Sequence, residues 1–281
     1  MAMFKRIAII GTGLIGGSMG LGIKKKRLAE VVVGVTSRPK TLREAIQRGA
    51  IDRGTLDIKS AVNGANLIIL AAPVNTILRV AAVVVKSAPK GAIIIDVGST
   101  KSAIVRRIEK ILPKDIYFVG THPLAGLEKS GVLNAQSSLF KNSLCIITPT
   151  LKTNPLALRK VKSFWQKLGA TTRLLSCREH DRIVALTSHL PHIVAFSLIN
   201  AIPSAYLGFS ASGLRDATRL AASDAEIWSD ICLSNQKEIL QAIGKFEKSL
   251  AHFKSLIARK SSPALQNTFL KTKIKRQKLT P

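Results

Sequence analysis

Near the start of the chain, Phe4–Ile10 reads FKRIAII, a short apolar and β-branched run with the signature of a buried strand. It leads straight into Gly11-Thr12-Gly13-Leu14-Ile15-Gly16, and a helical pattern follows over 14–26. A G-x-G-x-x-G set between a strand and a helix leaves the fold few choices. Gly11 permits the tight turn, Gly13 lets a pyrophosphate come close to the backbone, and Gly16 lets helix and strand pack closely. The helix N-terminus then supplies amides and a positive dipole end to the anion. A second strand signal over 30–35 stands at the distance a βαβ unit needs, so the segment reads as a dinucleotide-binding unit.

The alternation continues. Helices are expected over 42–48, 76–86, 102–112 and 154–168, and strands over 67–71, 92–97, 116–119, 144–148 and 171–175. Strands and helices alternating at this spacing imply an α/β fold, a doubly wound Rossmann-type parallel sheet over 1–175. Ligands of such sheets sit at the carboxyl ends of strands. Gly13, Pro73, Ser99 and His122 stand at or just past four such ends, His122 in the loop after the strand at 116–119. From 176 the pattern is all-helical. Ile183, Leu186, Leu190, Ile193 and Val194 mark one apolar face; Ile239, Ile243, Phe246, Leu250 and Phe253 mark another. These faces exceed the needs of one short bundle, so 176–262 is expected to be a substrate and dimerisation domain that shares its core in a homodimer; a self-contained bundle is the alternative. Pro263 is expected to end the helices and leave 263–281 as a basic tail, with five cations between 271 and 278.

Charge and composition bound the function. Lys and Arg number 43 against 16 Asp and Glu, a formal charge of +27. Such a surface suits nucleic acid, membrane surfaces or small anions, or reflects a basic proteome. Aromatic residues are 5% and do not interleave with the cations, so nucleic-acid binding is not expected as the main role. Cys145, Cys177 and Cys232 have no C-x-x-C spacing, which argues against a disulfide framework or zinc site and fits a reducing compartment. His189 and His192 share a helical side, but no carboxylate or cysteine stands at a helpful spacing, so no metal is expected. The uncharged run 7–23 follows Lys5-Arg6, yet six of its 17 residues are glycine and no cleavage site follows. No other run is expected to reach membrane-spanning length, and the expectation is a soluble, cytoplasmic protein with no membrane partner.

The residues able to do chemistry are the histidine of Thr121-His122-Pro123-Leu124-Ala125-Gly126-Leu127-Glu128, the pair in Ser188-His189-Leu190-Pro191-His192, and Arg219. An arginine is the natural bidentate partner of a substrate carboxylate, although Arg219 is equally readable as a solvated helix charge.

Taken in order, GTGLIGGS (11–18), DVGSTK (96–101), THPLAGLEKSG (121–131), SHLPH (188–192) and GLRDATRLAASDAEIW (213–228) closely resemble the prephenate/arogenate dehydrogenase family over nearly the whole chain. The resemblance implies oxidative decarboxylation of prephenate to 4-hydroxyphenylpyruvate, or of arogenate to tyrosine, with NAD(P)+ as acceptor. It implies that His122 takes the proton of the substrate's C4 hydroxyl while Ser99 orients that hydroxyl. Arg219 would hold the ring carboxylate, and His192, His189, Glu128 and Asp216 would shape the substrate pocket. The cofactor set is Gly11, Gly13, Leu14, Ile15, Gly16, Thr36, Ser37, Arg38, Ala72, Pro73 and Ser99.

The chain departs from the family pattern. Leu127 stands where many relatives carry a hydroxyl. The carboxylate expected after the second strand, which would bond a ribose 2′-hydroxyl, is replaced by Thr36-Ser37-Arg38, with Lys40 nearby. That replacement favours NADP+, with NAD+ still possible. No regulatory ACT domain or fused chorismate mutase is expected, and so no feedback control by such a module. A β-hydroxyacid-type dehydrogenase, the competing enzyme reading, would want a lysine where this chain has Arg178 and Arg182.

Overall fold

The structure, a computed structural model, describes residues 1–127 and 129–279. It divides into two compact units, Met1–Gln236 and a second from Lys237 onward. The first unit is built on one sheet of strands β1 (Phe4–Ile10), β2 (Ala29–Val35), β3 (Arg53–Thr55), β4 (Leu67–Leu70), β5 (Ile93–Asp96), β6 (Tyr117–Pro123), β7 (Leu144–Thr148) and β8 (Thr171–Leu174). Their order is β3-β2-β1-β4-β5-β6-β7-β8. The first six run parallel. β6 and β7 pair antiparallel, and β7 and β8 again pair parallel. The helices of this part are α1 (Leu14–Lys25), α2 (Pro39–Gln47), α3 (Ile58–Val62), α4 (Val74–Ser87), α5 (Ser102–Ile111) and α6 (Pro155–Leu168).

The pleat of each strand sends alternate residues to opposite faces, and both faces are covered. Ile7, Ile9, Leu67 and Ile69 pack with Met19, Ile23, Phe164 and Trp165 on one side. Ala8, Ile10, Ile68 and Leu70 pack with Ile77, Val84, Ile104 and Ile108 on the other. The continuous apolar runs of these strands follow from that double burial.

Two local expectations change. β3 and α3 escape a pattern search because Arg53-Gly54-Thr55 is three residues long and polar; α3 is started by Asp57, whose carboxylate accepts from the amides of Lys59 and Ser60. His122 is not in a loop: β6 runs on to Pro123, and His122 pairs with Ile146 of β7. Gly120-Thr121-His122-Pro123 carries no local strand signal, so its extended form comes from that partner strand.

The helices continue with α7 (Cys177–Val184), a π-helical turn (Ala185–His189), α8 (Leu190–Asn200), α9 (Ser212–Thr218), a 3-10 turn (Arg219–Ala222) and α10 (Ala225–Ser234). Ser176 and Glu179 form a capping box that fixes the start of α7. The helical run Cys177–Asn200 is long and apolar enough to cross a membrane by length and composition, contrary to the expectation that no further run would reach that length. It turns buried His180 and Asp181 into the unit's interior.

α11 (Gln236–Ala258) begins at the junction of the units, and α12 (Ser262–Arg276) follows in the second. The segment expected as a basic tail beyond the helices is therefore mostly helix. Pro263 does not end the helices; it occupies the first turn of α12, where its missing N–H costs nothing and its fixed φ suits the geometry. Phe269 of α12 stacks on Phe253 of α11 with ring centroids 5.6 Å apart.

Candidate active site

The turn between β1 and α1 accepts glycine for steric reasons. Gly11 has φ of +100°, and a Cβ there would lie 2.3 Å from the Ala71 carbonyl oxygen. A Cβ on Gly16 would lie 1.9 Å from the Gly11 carbonyl oxygen, whereas one on Gly13 would meet nothing within 4 Å. Backbone is thus bare at Gly13 on the side open to a ligand. α1 has no acid in its first turn and no side-chain cap, so its leading amides face that opening. Thr12 Oγ1 lies buried in the same turn with no partner among the described residues. A cavity of about 440 Å³ is lined here by Gly13, Leu14, Ile15, Ala72, Pro73 and Ser99. An open glycine backbone, free helix amides and an orphaned hydroxyl fit the phosphates of a dinucleotide.

A second cavity, about 1120 Å³, is lined by His122, Ser188, His189, His192, Arg219 and Trp228 among others. Among the described residues the two cavities share seven in their linings: Ser99, Leu127, Lys129, His192, Ser223, Trp228 and Ile231. A group held over Ser99 from the glycine side therefore meets a group held by His122 and Arg219 from the other.

Of the sequence-derived candidates, His122, Ser99, His189, His192 and Arg219 come together around this space. Arg219 is exposed on its 3-10 turn. Asp216 is exposed on α9 and is not among the residues that line either cavity. Glu128 lies outside the described residues. Thr36, Ser37 and Arg38 leave the sheet beside the glycine turn, since Gly11 N donates to Val35 O at 2.8 Å; Ser37 and Arg38 are exposed.

Behind His122 lies a chain of polar groups that sequence reasoning passed over. His122 Nδ1 is 2.8 Å from His180 Nε2, and His180 Nδ1 is 2.9 Å from Asp181 Oδ1. Asp181 also accepts from the amides of Lys101 and Ser102 at 2.8 and 2.9 Å, at the start of α5. His180 stands 58 positions from His122, and the one local signal was the dipeptide His180-Asp181 itself. Lys101 is fully buried close by; its ammonium pairs with Asp96 and donates to Thr121 O at 2.8 Å.

These surroundings hold the histidines neutral. Burial lowers His122 well below its ordinary value, reinforced by His180, Lys101 and His189. Burial likewise lowers His180, against the pull of Asp181. Burial takes His189 down to about 4. Asn235 Nδ2 donates to His189 Nδ1 at 3.2 Å, which leaves the proton of neutral His189 on Nε2. His192 donates from Nδ1 to Ser188 O at 2.9 Å and stacks on Trp228 with centroids 3.6 Å apart. The cavity thus presents the cations of Arg48, Lys129 and Arg219 beside neutral imidazoles, an arrangement that suits an anionic substrate losing a proton.

Comparison with known proteins decides the family. Residues 19–174 match the nucleotide-binding domain of prephenate dehydrogenase, and residues 176–271 match its dimerization domain. The chain belongs to the prephenate dehydrogenase family. Within the family it is 35% identical to a cyclohexadienyl dehydrogenase of Zymomonas mobilis, with 96% of this chain and 94% of that protein covered. It is 34% identical to a prephenate dehydrogenase of Bacillus subtilis, covering 94% of this chain and 73% of the other. The crystal structure of prephenate dehydrogenase from Aquifex aeolicus with hydroxyphenyl propionate and NAD+ superposes with a TM-score of 0.92, 34% identity and 98% of each chain covered.

Proposed function

We propose that the protein oxidises prephenate, with loss of carbon dioxide, to 4-hydroxyphenylpyruvate, a step toward tyrosine. The observation that carries this reading is the shared wall at Ser99, where the glycine-lined cavity meets the cavity of His122 and Arg219 in a chain of this family. A bound nicotinamide dinucleotide supplies the hydride acceptor. His122, neutral and open to the cavity, takes the proton of the C4 hydroxyl as the C4 hydride departs; the ring then loses carbon dioxide and becomes aromatic. Ser99 orients the hydroxyl, Arg219 holds the ring carboxylate, and His189 offers its Nε2–H to the substrate. Positioning and one neutral base suffice, because aromatisation provides the driving force.

The remaining assignments belong to the same reading. Residues 1–175 hold the cofactor and 176–262 contribute the substrate pocket. The homodimer forms through the helical half, where exposed Leu240, Phe246, Leu250 and Ile257 await cover. Thr36, Ser37 and Arg38 stand where a carboxylate would repel a 2′-phosphate, which supports NADP+ over NAD+. A biosynthetic enzyme of this kind belongs in the cytoplasm.

Steady-state assays crossing prephenate and arogenate with NAD+ and NADP+ test the proposal. Turnover of prephenate, fastest with NADP+, is expected. Turnover of arogenate alone would move the activity to tyrosine formation directly, and turnover of neither would overturn the reading.

A further inference from the structure

We infer that His180 and Asp181 are positioning residues that hold His122 in the one tautomer able to act as a base, and tie it to the loop carrying Ser99. Asp181 carries three donors: the Lys101 amide and His180 Nδ1 on Oδ1, at 2.8 and 2.9 Å, and the Ser102 amide on Oδ2, at 2.9 Å. An ionised carboxylate only accepts, so His180 carries its proton on Nδ1. A neutral His180 then has a bare Nε2, and the atom 2.8 Å away, His122 Nδ1, must donate to it. His122 is left with Nε2 unprotonated, and His122 lines the larger cavity. Burial of His180, with no exposed surface, keeps the relay in its neutral form.

Asp181 does a second thing. Its two amide bonds fix Lys101 and Ser102 at the head of α5, two and three residues beyond Ser99. Asn235 in turn donates to the Asp181 carbonyl at 2.8 Å and to His189. One buried carboxylate therefore sets both the proton on the base and the position of the hydroxyl that works with it. An arrangement serving packing alone would not need an acceptor aimed at His122 Nδ1.

The inference rests on His122 acting as the base, but its test reads the ring itself. In full-length protein labelled with 15N-histidine, two-bond 1H–15N correlations report the tautomer of each ring, and His122→Asn assigns the signal. The wild type is expected to show His122 as Nδ1–H without substrate present. His180→Leu removes the acceptor, so the Nε2–H form should appear. With prephenate and cofactor, kcat should fall by about 10² to 10⁴-fold, the usual worth of a general base, while the dinucleotide KM stays within about threefold. His180→Gln keeps an acceptor oxygen and fits the space, so it should retain the Nδ1–H signal and recover at least about tenfold of the lost kcat. It also serves if the leucine variant does not fold. A wild-type His122 protonated on Nε2, an unchanged tautomer in His180→Leu, or a glutamine variant that loses the Nδ1–H signal would overturn the inference. Absence of prephenate turnover in the wild type would instead count against the substrate and leave the tautomer result to stand.

Discussion

His122, the proposed base, sits in an unusual position for that role: on a paired strand, half-buried, with a fixed cation and two other imidazoles around it. Its replacement by asparagine removes the proton acceptor and keeps the shape. His122→Asn is expected to lower kcat by about 10² to 10⁴-fold with little change in either KM, checked by steady-state kinetics. The role proposed for Arg219 differs, because a carboxylate contact would exist in the bound ground state as well as in the transition state. Arg219→Gln should raise the substrate KM about ten to a hundredfold and leave kcat nearer wild type; a flat KM would remove Arg219 from the pocket. Arg38 follows β2 where the cofactor's ribose is expected. Arg38→Ala should weaken NADP+ by roughly ten to a hundredfold and spare NAD+, and equal losses for both would mean that Arg38 does not meet the 2′-phosphate. These three residues were visible in the sequence because each lies inside a short motif. His180 and Asp181 were not, because their meaning depends on a neighbour far away in the chain.

The same division holds for elements. β1, the glycine turn and α1 are local in sequence, and their pattern alone announces them. The end of β6 is long-range: only pairing with β7 extends Gly120-Thr121-His122-Pro123 into a strand. α12 was hidden for a third reason. Its cations suggested a solvated tail, while the aromatic that docks it, Phe269, is a single residue against Phe253. Truncation after Lys260 is therefore expected to expose Phe253 and weaken the second unit. A lower melting temperature and a shift toward monomer in sedimentation are the expected signs; an unchanged melt would return the segment to the status of a tail. The π-helical turn at 185–189 is also an element with work to do. Val184, Thr187, Ser188, His189 and His192 all line the larger cavity, a denser succession than one face of a regular helix provides.

At the scale of the whole molecule, four buried or half-buried histidines are held below their ordinary value, so stability must depend on pH. The sign is fixed by linkage. The folded histidines stay neutral while the unfolded ones protonate below about pH 6.5, so the unfolded chain binds more protons as pH falls. Stability is full above that value and declines toward the folded values, about 4 for His189. Taking the midpoint of urea unfolding from about pH 7.5 to about pH 5 should lower it, His189 alone contributing about 2 kcal/mol. A midpoint unchanged over that range would mean that these rings are not held neutral. The two cavities carry a different consequence. Seven of the described residues wall both, so whichever molecule arrives first rebuilds part of the surface the second will meet. The two binding events are then energetically linked, and thermodynamics requires the link to be mutual: whatever factor the dinucleotide imposes on the dissociation constant of the ring acid, the ring acid imposes on that of the dinucleotide.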